Sequence, residues 1–140
     1  ILIMSTIFNS KNAPEPVGAY PHAKRVGGLL FLSGVGPRKR GEKKIPGVNL
    51  SPSGKILDYD IEKQCVSVFE NIRLILEDSG SNWDNIVDVT VFLTNMKRDF
   101  EKYNQLYKQY FKTPFPTRTT IEIKSLPTPI AIELKVIATV

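Results

Sequence analysis

With 140 residues and 15.7 kDa, the chain has the size of one domain, 1–140, able to bury about 68% of its unfolded surface. Its 41% apolar and 24% charged residues are ordinary for a globular protein, and no run approaches the roughly 18 apolar residues of a membrane span. The net charge of +5 and pI near 9.4 invite a nucleic-acid reading, yet much of the excess sits in Arg38-Lys39-Arg40, Lys43 and Lys44. That loop has no interleaved aromatics for base stacking, so nucleic acid is a disfavoured partner.

Ile1-Leu2-Ile3 is too short and lacks the basic flank of a signal peptide, and Met4-Ser5-Thr6 reads as a natural start. Residues 1–15 are polar and Pro-containing, a loosely held arm (above all 1–12) or an edge strand. Apolar runs at 20–26 and 29–34 flank Gly27-Gly28, the pattern of a β-hairpin. The stretch 36–58 is least regular, and short runs on either side of Ser51-Pro52-Ser53-Gly54 suggest an excursion hairpin. Ile61, Cys65, Val68, Ile72, Ile75 and Leu76 recur at helical spacing, predicting an amphipathic helix over 59–79. Asp58 or Asp60 is its candidate N-cap and Gly80 its stop. Cys65, the only cysteine, falls on the apolar face as a small hydrophobe; its solitude fits a reducing compartment, and a cytoplasmic location is expected.

Residues 86–93 alternate like a strand. Phe100, Tyr103, Tyr107 and Tyr110 predict a second amphipathic helix over 98–111, its aromatic stripe read as core, closed by Pro114 and Pro116. Strands at 117–124 and 131–139 complete a β-β-α-β-α-β-β order, an α+β domain with one sheet face left to be covered. The closing segment, PTRTTIEIKSLPTPIAIELKVIA, carries Arg118 and Glu133 in otherwise apolar, β-branched runs. Arg118 offers a planar fork for a carboxylate, and a buried Glu133 would be poised for proton transfer. The plainer alternative makes Arg118 a surface residue and pairs Glu133 with Lys135 or Lys124.

The ordered residues Arg118, Leu126, Pro127, Ile132, Glu133, Ile137 and Ala138 resemble the RidA/YjgF (endoribonuclease L-PSP) imine deaminase family. The resemblance runs upstream through Asn12-Ala13-Pro14, Gly18-Ala19-Tyr20, Phe31-Leu32-Ser33-Gly34, Glu70-Asn71-Ile72, and Asp99-Phe100 with Asn104 and Tyr107. It implies a chorismate-mutase-like mixed sheet with two helices on one face, and a homotrimer with pockets between subunits. It further implies hydrolysis of an imine or enamine bearing a carboxylate, by proton transfers that need no metal or cofactor. Arg118 matches the carboxylate clamp and Glu133 the residue that handles water. Tyr20, Ser33 and Asn104 match polar pocket positions, Gly34 and Thr120 match backbone contributors, and Pro127 matches a Leu-Pro turn. Val35, Ala19 and Thr120 depart from the widespread pattern and, with the 38–58 excursion, look more like the 2-aminomuconate deaminase branch. There Arg38 becomes a candidate for a second carboxylate. An RNA-cleaving protein and a non-catalytic trimeric binding or chaperone-like module remain the competing readings. His22, the only histidine, matches no catalytic position and is expected to be structural or at the pocket edge.

Overall fold

The computed structural model describes residues 4–140; the reading of residues 1–3 as upstream sequence lies outside them. A six-stranded sheet contains β1 (Ser5–Phe8), β2 (Ala23–Val26), β3 (Leu29–Leu32), β6 (Ile86–Leu93), β7 (Thr117–Glu122) and β8 (Ile132–Thr139). Its order is β1-β2-β3-β8-β6-β7, with β6 and β7 parallel and the other pairs antiparallel. Helices α1 (Ile61–Asp78) and α2 (Met96–Tyr110) cover one face, and the expected excursion is a separate hairpin of β4 (Val48–Leu50) and β5 (Ile56–Tyr59). This is the α+β mixed sheet that the sequence resemblance implies.

Local chemistry accounts for the element ends. Asp60 caps α1, its carboxylate accepting from Lys63 N at 3.1 Å. Gly80, at φ +81°, ends it: Gly80 N donates to Glu77 O and Ser81 N to Leu76 O, two orphan carbonyls of the last turn. Strand alternation sorts β6 and β8 into a buried set, Val89, Val91, Leu93, Ile132, Leu134 and Val136, and an opposite set containing Thr90, Phe92, Glu133 and Ile137. Each fully buried aliphatic chain contributes about 1.5–3 kcal/mol, which fixes the register against slippage. The opposite face stays open, with Leu29 40%, Phe31 36% and Ile121 41% exposed.

The loose-arm expectation is corrected for part of the N-terminal segment, where the edge-strand alternative holds. Ser5–Phe8 pairs with β2, and the segment after it is tied down by side chains distant in sequence. Ser10 Oγ donates to Asp78 Oδ2 at 2.5 Å, Asn12 Nδ2 reaches the same carboxylate, and Arg40 donates to the carbonyls of Ser10 and Ala13. His22 accepts from Ser10 N at 2.9 Å through Nδ1 and donates through Nε2 to Pro14 O at 2.7 Å. These partners are not periodic, which is why the strand's polar sequence hid them.

Candidate active site

Extended backbone places Glu133 on the open sheet face, opposite Phe92. The short bridge between Val35 and Leu134 (N to O 2.8 and 3.0 Å) then lays Gly34 directly against the carboxylate. A Cβ on Gly34 would fall 2.6 Å from Glu133 Oε2, so only glycine fits there with the carboxylate in place. Burial pushes the Glu133 pKa above the usual carboxylate range. Glu133 joins none of the ion pairs among the described residues. Lys135, its sequence-based alternative partner, donates instead to Leu32 O at 2.7 Å.

Gly34 also borders a cleft of about 40 Å³ lined by Tyr20, Ser33, Arg38, His22 and Pro14. That volume holds a few waters at most and not an organic substrate. Ser33 is fixed by donation from its Oγ to Pro21 O at 2.8 Å, and Arg38 donates to Glu15 O at 2.8 Å. Tyr20 is 41% exposed, its hydroxyl accepting from Val17 N.

Three buried polar residues on α1 hold this side of the site, and the sequence reading gave none of them a positioning role. Asn71 Nδ2 donates to Gly36 O (2.9 Å) and Arg38 O (2.7 Å), and Ser67 Oγ donates to Pro37 O (2.7 Å). Gln64 Oε1 accepts from Ala131 N at 2.9 Å, anchoring the start of β8 just before Glu133. Their spacing of three and four on the apolar face was the available signal: polar residues there must find buried partners.

Arg118 belongs to a different surface. In the parallel ladder it stands beside Val89, and Thr120 beside Val91, so both face the helices. Arg118 Nη2 donates to Asn104 Oδ1 at 2.8 Å, and its guanidinium lies over the Tyr107 ring, 4.7 Å from the centroid. It too joins none of the ion pairs among the described residues. Glu133 and Arg118 thus lie on opposite faces of the sheet, and the candidate residues fall into two groups around them. Tyr20, Ser33, Gly34, Arg38 and Glu133 form one; Arg118, Asn104 and Thr120 form the other. Pro127 is exposed in the connection between β7 and β8. Cys65 is fully buried and its thiol is pushed up to about 12, chiefly by desolvation, which removes it as a nucleophile.

The half around Glu133 can take up or deliver a proton; the half around Arg118 can hold an anion. Comparison with known proteins gives this arrangement its relatives. The family profile described as Endoribonuclease L-PSP matches residues 10–140. A RutC family protein of Pyrococcus horikoshii is 36% identical over 136 residues, covering 96% of this chain and 98% of its own. Reactive Intermediate Deaminase A, chloroplastic, of Arabidopsis thaliana is 31% identical, covering 98% of this chain and 67% of that protein. Among solved structures, yeast Mmf1 superimposes with a TM-score of 0.83 at 32% identity, over 97% of this chain and 98% of that one. The chain belongs to the endoribonuclease L-PSP family, the RidA/YjgF family that its sequence resembles.

Proposed function

We propose that this protein is a hydrolytic deaminase of imines and enamines that carry a carboxylate. The observation that carries the reading is Glu133: desolvated, in no ion pair among the described residues, and given its space by Gly34. The name of the Arabidopsis relative supports the same class. The enamine β-carbon first takes a proton, giving the electrophilic iminium. Water then attacks the C=N carbon while Glu133 accepts its proton; Glu133 returns that proton to the nitrogen of the carbinolamine, which collapses to a ketone and ammonium. Arg118 holds the carboxylate and so brings the reacting carbon to the water.

Because Arg118 and Glu133 face opposite sides of the sheet, one chain cannot present both to one small substrate. A homotrimer resolves this by bringing the β7 edge of one copy to the open face of the next, covering Leu29, Phe31 and Ile121 as it does so. Arg38, beside Ser33 and Gly34, supplies a second cation and favours a dicarboxylate of the 2-aminomuconate type. His22 spends both ring nitrogens on backbone groups, which supports small-molecule chemistry over RNA cleavage. The lone, buried thiol is compatible with the expected cytoplasmic setting.

The test is ammonia release from 2-aminoacrylate and from 2-aminomuconate, each generated enzymatically in the assay. Acceleration above the buffer rate is expected for both. Arg38→Ala should weaken turnover of the dicarboxylate and spare 2-aminoacrylate. No acceleration with either substrate would end the deaminase reading; equal Arg38→Ala effects would end the dicarboxylate one.

A further inference from the structure

The arginines other than Arg118 meet groups of the fold: Arg25 and Arg38 donate to backbone carbonyls, and Arg98, though its guanidinium carbon lies 3.9 Å from the Tyr59 ring centroid, pairs with Asp99. Arg73 reaches Glu70 and Glu77, and Arg40 reaches Glu15, each satisfied by a carboxylate of the fold. Arg118 is surrounded differently. Its guanidinium carbon lies 4.7 Å from the Tyr107 ring centroid, 5.6 Å from that of Tyr103 and 5.9 Å from that of Phe100. Asn104 takes one N–H through its amide oxygen. These four residues recur at three- and four-residue spacing, so one face of α2 makes the whole cradle.

The chemistry of that cradle is selective. An aromatic face attracts a cation but does not neutralise it, and it leaves the in-plane N–H groups of the fork free to bind an anion. The rings also exclude water from one side of the guanidinium, which strengthens its pairing with an anion on the other. Tyr107 is itself firmly seated, stacked on Phe111 with centroids 4.1 Å apart and planes 17° apart, and only 7% exposed. Desolvation raises its pKa, so the ring stays a neutral phenol and never competes as a counter-ion.

We propose that Tyr107 is a positioning residue for the carboxylate subsite, setting the plane of the Arg118 guanidinium so that its free edge meets the substrate. This rests on the reading of Arg118 as the carboxylate clamp. It assigns a functional load to an aromatic stripe that helical spacing alone marks as core.

The test compares Tyr107→Leu with Tyr107→Phe. On 2-aminoacrylate, Tyr107→Leu should raise KM about 5- to 30-fold, the worth of a desolvated cation–π contact. Its kcat should stay within about twofold, because the carboxylate contact persists from ground state to transition state. Tyr107→Phe keeps the ring and should restore the wild-type KM. A second readout needs no turnover: in ¹⁵N-labelled protein the Arg118 Nε–H resonance should show a ring-current shift that survives in Tyr107→Phe and is lost in Tyr107→Leu. Titration with pyruvate, followed at that resonance, should weaken by the same factor as KM in Tyr107→Leu.

Unchanged KM and pyruvate affinity in Tyr107→Leu would overturn the proposal, as would equal losses in the Leu and Phe variants. A fall in melting temperature with no change in KM would reduce Tyr107 to a packing residue. Should Tyr107→Leu fail to fold, Phe100→Leu removes a half-exposed ring of the same cradle and should raise KM about 2- to 3-fold; no change would count against the cradle. If the wild type binds pyruvate with this Tyr107 dependence yet deaminates nothing, the deaminase reading fails and the positioning role stands.

Discussion

Glu133 and Arg118 are prepared for charge in opposite ways. Glu133 sits on the uncovered sheet face, with no counter-ion among the described residues and with burial working against its ionised form. Arg118 sits on the helix-covered face, its charge stabilised by rings and one amide that leave its fork available. In the proposed mechanism the first region, destabilised as a carboxylate, handles protons. The second, a guanidinium with part of its fork unspent, is the anchor. Proton handling and anion binding call for these different environments, and the sheet keeps them apart.

The sharpest way to break the contrast is at the proton. Glu133→Gln keeps the volume and removes the basic oxygen, so kcat should fall about 10²- to 10⁴-fold with little change in KM. A merely structural Glu133 would give near-normal turnover in the same assay. At the anchor, Arg118→Ala should lower kcat/KM about 30- to 1000-fold, and Arg118→Lys should rescue little because a point charge cannot reproduce the fork.

Mixing these two variants sharpens the comparison further. In co-assembled trimers, about a quarter of the sites would pair an intact Arg118 from one copy with an intact Glu133 from another. Activity should reappear on co-expression of Glu133→Gln with Arg118→Ala chains; none would mean that each site lies within one chain.

A smaller effect is expected at Gly34. The added methyl of Gly34→Ala meets Glu133 Oε2 at 2.6 Å and must push the carboxylate aside, and a shift of about 1 Å costs on the order of 10²-fold in kcat. Wild-type kcat would show that the carboxylate's position is not critical.

The smallest effect is on stability. The raised pKa means that folded Glu133 holds its proton more tightly than the unfolded chain does. Its stabilising contribution is therefore present below the ordinary carboxylate range and is lost as pH rises through the raised value. Glu133→Gln should melt slightly above wild type at pH 7, with the gap closing in acid. Thermal scans across pH would check this, and a gap independent of pH would contradict it.

Much of the fold was legible because its elements are strongly periodic. Residues 86–93 form a strand with the bounds their alternation predicts, and α1 departs from its predicted span by no more than two residues at either end. Strand β1 was ambiguous because STIF is short and its partners lie far along the chain. The site was legible as a set of residue types, but its division between two faces was not. Thr117-Arg118-Thr119-Thr120 has no apolar alternation to declare which side is buried, and only pairing with Val89 decides it. The cradle around Arg118 was hidden for a related reason, since a ring can pack in a core and face a cation at once.

The β4–β5 hairpin has a consequence for how this protein could change. Its base is closed by Asp60 N donating to Gly47 O at 2.8 Å and is bolted to α2 through the Tyr59 hydroxyl on Asp99 Oδ2 at 2.6 Å. Its tip is closed by local bonds among Ser51, Ser53, Gly54 and Lys55, with Gly54 at φ +84° and none of the described residues within 4 Å of where its Cβ would stand. Chain added or exchanged at that tip would disturb neither the sheet nor either half of the site. The turn at 51–54 is accordingly the natural port for grafting a tag, a tether or a second recognition loop, and the place where family members can diverge in length at least cost to the shared chemistry.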